Sequence, residues 1–85
     1  MTTAEILATV KTSLGVTTSY QDSTLTAYID EVIAFMRSAG VKDPTSSAAV
    51  GCISRGVADL WNYGAGEAKF SEYFKMRVIQ LAGGA

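Results

Sequence analysis

Residues 48–66, which read AAVGCISRGVADLWNYGAG, decide the fold class of this 85-residue chain. On a helical wheel of 100° per residue, the apolar and small side chains of this stretch lie on one side, opposite a mostly polar side. The apolar side holds Ala49, Val50, Ile53, Gly56, Val57, Leu60 and Trp61, and the other side holds Ser54, Arg55, Ala58, Asp59 and Asn62. This periodicity predicts an amphipathic helix that ends at Tyr63, before the Gly64-Ala65-Gly66 break. The small Ala49 and Gly56 predict the close approach of a neighbouring helix.

Two helices are predicted before this stretch. Thr2-Thr3-Ala4-Glu5 fits a capping box at the start of the first helix, which Gly15 ends. The second helix begins with Asp22 as its N-cap and stops at Gly40. Val41 is expected to fold back as the hydrophobic contact of a C-terminal cap.

The remaining helix starts are predicted from serines. Ser46 or Ser47 is expected to cap the helix of residues 48–63, and Ser71 to cap a last helix over residues 72–81. No hairpin signal, internal repeat or long linker appears in the sequence. We therefore predict one all-α domain over residues 1–85, a compact bundle of about four helices. Its two long central helices are flanked by a shorter first and a shorter last helix.

The composition leaves two interpretations of the surface open. Apolar residues make up 48% of the chain and charged residues 18%, below the ~25% typical of soluble domains. Either a partner covers part of the apolar surface, or the chain is a well-filled helical monomer. The net charge of −1, without a basic run, gives little support to general nucleic-acid binding.

The single cysteine and the hydropathy indicate the compartment in which the chain is synthesised. Cys52 has no second cysteine to pair with and is expected to be a buried or half-buried thiol. The first residues show no basic segment followed by an apolar run, and no segment approaches the ~20 apolar residues that cross a bilayer. We expect synthesis in an intracellular, reducing compartment and no membrane partner.

The sequence offers no candidate chemistry. Histidine is absent, which removes the commonest general base and metal ligand. Asp30 and Glu31 point 100° apart on a helix and do not form a carboxylate pair. Gly64-x-Gly66 follows a helix and lacks the residues of a phosphate-binding loop. We predict no catalytic, cofactor-binding or metal-binding residues, and no enzymatic activity.

The last helix carries two apolar faces instead of one. Phe70, Phe74, Val78 and Leu81 form one face, whereas Met76 and Ile79 point nearly the other way. Either the chain wraps around this helix or its second face meets another subunit, and we favour the subunit. Arg55 with Asp59, and Glu72 with Lys75, are spaced to form weak ion pairs. The candidate contacts with a subunit or partner are Arg55, Asp59, Asn62, Lys75, Met76, Arg77 and Ile79.

The order of these packing patterns carries a family resemblance. The patterns are Ile6-Leu7-x-x-Val10-Lys11-x-x-Leu14-Gly15, Asp22-x-x-Leu25-x-x-Tyr28-Ile29-x-x-Val32-Ile33-x-Phe35-Met36-x-x-Ala39-Gly40-Val41, Arg55-x-Val57-x-Asp59-Leu60-Trp61-Asn62-Tyr63-Gly64-x-Gly66 and Tyr73-Phe74-x-x-Arg77-Val78-Ile79-Gln80-Leu81. In this order they resemble the helices of small head–tail connector (adaptor) proteins of tailed bacteriophages. The likeness covers nearly the whole chain, although it consists of packing patterns and not of catalytic signatures.

The resemblance implies a structural role. Members of this family are all-helical and work as a ring, usually of twelve copies, between the portal at the capsid vertex and the next neck or tail protein. It implies self-association, a portal partner, a downstream neck or tail partner, and DNA only as passing cargo. It also implies location in the virion neck, after synthesis in the bacterial host cytoplasm.

Two other functions stay open at this point. One is a small DNA-binding or regulatory protein with residues 48–63 as its recognition helix, although Arg55 would be that helix's only basic residue. The other is a stopper or tail-completion protein of the same phage neck, which differs only in position.

Overall fold

The computed structural model describes residues 1–64 and 69–83, and within them the chain forms four helices. They are α1 (Thr3–Leu14), α2 (Asp22–Ser38), α3 (Val50–Tyr63) and α4 (Glu72–Ala82). The predicted all-α class is confirmed, with α2 and α3 as the longer middle helices. Gly66, which ends the predicted glycine break, lies outside the described residues.

The ends of α1 follow the local sequence signals. The Thr2 hydroxyl accepts a hydrogen bond from the Glu5 N–H at 3.1 Å, and the Glu5 carboxylate accepts one from the Thr2 N–H at 2.8 Å. The predicted capping box is therefore confirmed, and its hydrogen bonds lower the pKa of the Glu5 carboxyl. Gly15, with φ of 75°, ends the helix as expected.

The predicted N-cap of α2 is wrong, whereas its predicted end is confirmed. Gln21 occupies the N-cap without a side-chain hydrogen bond, and Asp22 is the first helical residue. The Asp22 carboxylate instead accepts a hydrogen bond from the Lys11 ammonium at 2.7 Å, which ties α1 to α2. At the other end Gly40 has φ of 99°. The N–H of the buried Val41 folds back onto the Met36 carbonyl at 3.0 Å.

The predicted start of α3 is also wrong. The helix begins at Val50 with Ala49 as its N-cap, and neither Ser46 nor Ser47 caps it. The Ala49 N–H donates to the Ser46 carbonyl at 3.0 Å, so the chain makes another turn before the helix starts. The side chain of Pro44 is fully buried within this connection. Serine capping therefore does not set the start of α3.

The core is built around α3, which packs against each of the other helices. The completely buried side chains come from all four helices, and the largest are Ile6, Leu25, Ile29, Met36, Ile53, Leu60 and Phe74. A Cβ atom on Gly56 would lie 2.6 Å from Cε1 of Phe74 and 3.0 Å from Cγ2 of Val32. The predicted close approach at Gly56 is therefore confirmed, and both α2 and α4 make it. Trp61 is only partly buried at the edge of this core.

In the part of the chain that the structure describes, no helix is both long and apolar enough to span a bilayer.

Candidate interaction surface on α4 and α3

The side of α4 that faces away from the core carries three large apolar side chains. Tyr73 is 66% exposed, Met76 60% and Ile79 67%. We call these three residues the α4 outer face. Their spacing of three residues keeps them on one side of the helix, opposite the buried Phe74 and Val78. The described chain does not wrap around α4, so its second apolar face is open to solvent.

The orientation of the α4 outer face is fixed by contacts on the inner side of the helix. The Ser71 hydroxyl accepts a hydrogen bond from the Phe74 N–H at 3.2 Å, which confirms the predicted cap. The Phe74 ring packs against Gly56 and lies 4.6 Å from the Phe70 ring. A hydrogen bond of 2.9 Å joins the Ser71 N–H to the Asp59 carboxylate of α3. These contacts hold α4 in one rotation about its axis.

The expected position of Asp59 on the exposed side of α3 is wrong. Asp59 is 4% exposed, and Ser54 on the same side is 8% exposed. The reason is that α3 has neighbours on several sides, and the start of α4 covers the flank that carries Asp59. Its carboxylate accepts the Ser71 hydrogen bond instead of the expected ion pair with Arg55. The Ser54 hydroxyl is buried without a hydrogen-bond partner in the described chain.

Two guanidinium groups flank Tyr73. The central carbon of the Arg55 guanidinium lies 5.2 Å from the centroid of the Tyr73 ring, a cation–π contact. Arg77 donates a hydrogen bond to Gln80 Oε1 at 3.1 Å. Both arginines and Tyr73 line a shallow groove of about 230 Å³. A wider groove of about 480 Å³ lies on the α3 side of Tyr73, with Ser54 in its wall.

The structure brings most of the predicted contact residues to one surface. Arg55 and Arg77 meet at Tyr73, while Met76 and Ile79 lie on the α4 outer face beside them. Lys75 Nζ lies 4.0 Å from Glu72 Oε1, which confirms that predicted pair. Asn62 is exposed near the end of α3. Whether these residues contact a partner stays a prediction.

Tyr73 is the central residue of this surface and is absent from the predicted contact set. Its i, i+3 relation to Met76 is the sequence signal that places it on the same face. Tyr73 also lies two helical positions after the Ser71 cap, so its position on α4 follows from the predicted start of the helix.

The described residues offer little reactive chemistry around this surface. Cys52 is buried, and burial raises the pKa of its thiol to about 11, although the positive charge of Arg77 acts in the opposite direction. The thiol is therefore neutral near pH 7, whereas the thiolate is the nucleophilic form. Over residues 1–64 and 69–83, no group of three or more His, Cys, Asp or Glu side chains is arranged to hold a metal ion. What the surface offers is noncovalent contact through apolar, aromatic and cationic groups.

Comparison with known proteins gives no match to a protein-family model, a curated protein or a solved structure.

Proposed function

We propose that this chain is a structural head–tail connector (adaptor) protein of a tailed bacteriophage. It assembles into a ring between the portal and the next neck or tail protein, and that ring surrounds the passage of the DNA. The proposal combines the sequence resemblance, which runs along nearly the whole chain, with the four-helix architecture. The observation that carries it is the α4 outer face, where Tyr73, Met76 and Ile79 are each at least 60% exposed.

An exposed apolar face of this kind favours association. Exposed large apolar side chains that stand singly are normal, but three adjacent ones on one side of an 11-residue helix form a patch. Burying such side chains contributes about 1.5–3 kcal/mol for each that is fully covered. Because the inner contacts of α4 already fix the helix, docking orders only the exposed side chains and not the helix itself.

The charge of the chain favours a ring through which DNA passes over a protein that binds DNA tightly. The net charge is −1, and each phosphate contact would need a lysine or arginine. On α3, Arg55 is the only basic residue, and its guanidinium lies over Tyr73. These features favour the connector function over a recognition helix that enters a DNA groove.

The test is assembly by the purified chain, alone and with the portal protein of the same phage, followed by sedimentation velocity. We expect the wild-type chain to sediment as a species many times 9.0 kDa, at least when the portal is present. Met76→Asp and Ile79→Asp should prevent this while they retain the helical circular dichroism of the wild type, because both side chains are exposed. Tyr20→Asp is the matched control, since Tyr20 is 89% exposed and lies outside the four helices.

Three outcomes separate the possible functions. A chain that stays monomeric and does not bind the portal would refute the connector function. Loss of helical signal in Met76→Asp or Ile79→Asp would show that these residues support the fold instead of an interface. Salt-sensitive binding of duplex DNA by the wild-type chain at low ionic strength would support the DNA-binding alternative.

A further inference from the structure

A second exposed face, on α2, is complementary in shape to the α4 outer face. Five exposed residues lie along one side of α2, and none of their side chains is larger than aspartate. They are Ser23, Ala27, Asp30, Ala34 and Ser38, and we call them the α2 outer stripe. We propose that the α4 outer face of one copy packs against the α2 outer stripe of the next copy, with the two helices antiparallel. This inference rests on the proposed function only in assuming that the chain self-associates.

The sizes of the side chains fit this pairing. The α4 outer face presents large groups, whereas Ala27 and Ala34 leave the α2 surface shallow. Small side chains allow two helix axes to approach to about 8 Å, at the short end of the usual range. Large side chains of one helix can then cover the backbone of the other. Pairing two α4 outer faces would instead set large groups against large groups.

The charges decide the direction of the helices. On α4 an acid precedes a base, Glu72 before Arg77, and on α2 Asp30 likewise precedes Arg37. All four residues are exposed. Along the helix axes, an antiparallel arrangement brings Arg77 level with Asp30 and Glu72 level with Arg37. Parallel helices would place like charges together, which disfavours that arrangement.

The axial distances are compatible with both ion pairs. At 1.5 Å per residue, Glu72 and Arg77 are about 7.5 Å apart along α4, and Asp30 and Arg37 are about 10.5 Å apart along α2. The difference of about 3 Å is within the reach of an arginine side chain. The existing contact between Glu72 and Lys75 is long, at 4.0 Å, and solvent-exposed, so it competes little with the new pair.

The pairing joins two different surfaces, so it is heterologous. After the first contact the pair of copies keeps one free α4 outer face and one free α2 outer stripe, and further copies can add. A closed ring results if the rotation between copies closes. This property distinguishes the proposal from an isologous pairing of two α4 faces, which stops at a dimer.

The experiment uses two charge reversals in the full chain, Arg77→Glu and Asp30→Arg, with Lys42→Glu as a control. Lys42 is exposed and belongs to neither surface. Each reversal should weaken self-association about tenfold or more, measured as the dissociation constant by sedimentation velocity. An equimolar mixture of the two variants should recover assembly beyond a dimer, with the two variants alternating, because the unchanged surfaces pair with each other and the two reversed surfaces pair with each other. The double variant Arg77→Glu/Asp30→Arg should regain the wild-type assembly.

Disulfide trapping gives an independent readout that also captures weak association. Met76→Cys mixed with Ala34→Cys should give a cross-linked heterodimer under mild oxidation, with far less homodimer of either variant. The native Cys52 does not compete, because its thiol is buried.

The outcomes distinguish this inference from the proposed function. If the wild-type chain assembles and Asp30→Arg assembles equally well, the α2 outer stripe is not the partner surface, and the connector function stands. If Met76→Cys cross-links mainly to itself, two α4 outer faces meet, and the inference is wrong. If neither assembly nor cross-linking occurs in the wild-type background, the inference is refuted, while binding to the portal still tests the connector function separately.

Discussion

Replacing Gly56 by alanine tests how closely α4 is held against the rest of the fold. A Cβ atom at this position would lie 2.6 Å from Cε1 and 2.9 Å from Cζ of Phe74, and 3.0 Å from Cγ2 of Val32. Carbon atoms normally pack at about 3.5–4.0 Å, so the Phe74 ring would have to move by about 1 Å. That ring is completely buried, and the centroids of Phe70 and Phe35 lie only 4.6 Å and 5.7 Å away. The ring therefore has little room to move.

Two opposing effects set the magnitude of this change. Alanine is favoured over glycine by about 1 kcal/mol inside a helix. Overpacking a filled core costs about 1–3 kcal/mol, and contacts below 3.0 Å favour the upper end of this range. We expect a net loss of about 2 kcal/mol in the free energy of unfolding. For a domain of this size that corresponds to a fall of about 8–16 °C in Tm.

Gly51→Ala is the matched control, and thermal and urea unfolding followed by circular dichroism are the assays. Gly51 lies on the same helix, is exposed, and would have no atom within 4 Å of an added Cβ. Gly51→Ala should stabilise the fold by up to about 1 kcal/mol. If Gly56→Ala proves as stable as Gly51→Ala, then Phe74 and Val32 do not press against Gly56, and the packing argument is refuted.

Three further perturbations test other contacts. Asp59→Ala should lower the free energy of unfolding in urea by about 1–3 kcal/mol, because the Ser71 N–H loses its acceptor. Asp59→Asn keeps an acceptor oxygen and should cost less. Equal losses in the two variants would count against the hydrogen bond. The free energy of unfolding should fall as pH rises above about 9, because the Cys52 thiol ionises there in the unfolded chain, whereas burial raises its pKa in the folded chain to about 11. The slope is at most about 1.4 kcal/mol per pH unit. Cys52→Ala should lack this slope, and an equal pH dependence in wild type and Cys52→Ala would refute the reasoning. Trp61→Ala should lower the free energy of unfolding, measured by thermal unfolding, by about 1–3 kcal/mol. This is below the about 3–5 kcal/mol expected for a fully buried tryptophan, because Trp61 is only partly buried. A variant that is completely unfolded would contradict this prediction.

The helices and several of their ends could be predicted because their signals are local. The Thr2 capping box, the Ser71 cap and the return of Val41 after Gly40 each depend on residues within a few positions of one another. The apolar period of α4 likewise predicts that Met76 and Ile79 lie away from the core, and both are exposed.

The errors arise where a distant part of the chain determines the outcome. A helical wheel separates the polar and apolar sides of α3, but it does not show that α4 covers the polar flank. For that reason Asp59 was expected at the surface and is buried, with its carboxylate bonded to the Ser71 N–H at the start of α4. The serine signal likewise failed at the start of α3, where Ala49 is the N-cap and the preceding connection buries Pro44.

The central position of α3 also has a consequence for the order of folding during synthesis. Before α3 leaves the ribosome, the nascent chain contains only α1 and α2, joined by few contacts and the Lys11–Asp22 ion pair. Most helical stability in proteins comes from tertiary packing, so α1 and α2 without α3 lack a stable core. Phe74 then closes the surface around Gly56 only after α4 has been made. The domain therefore folds late, as one unit, once nearly all of its 85 residues have been synthesised.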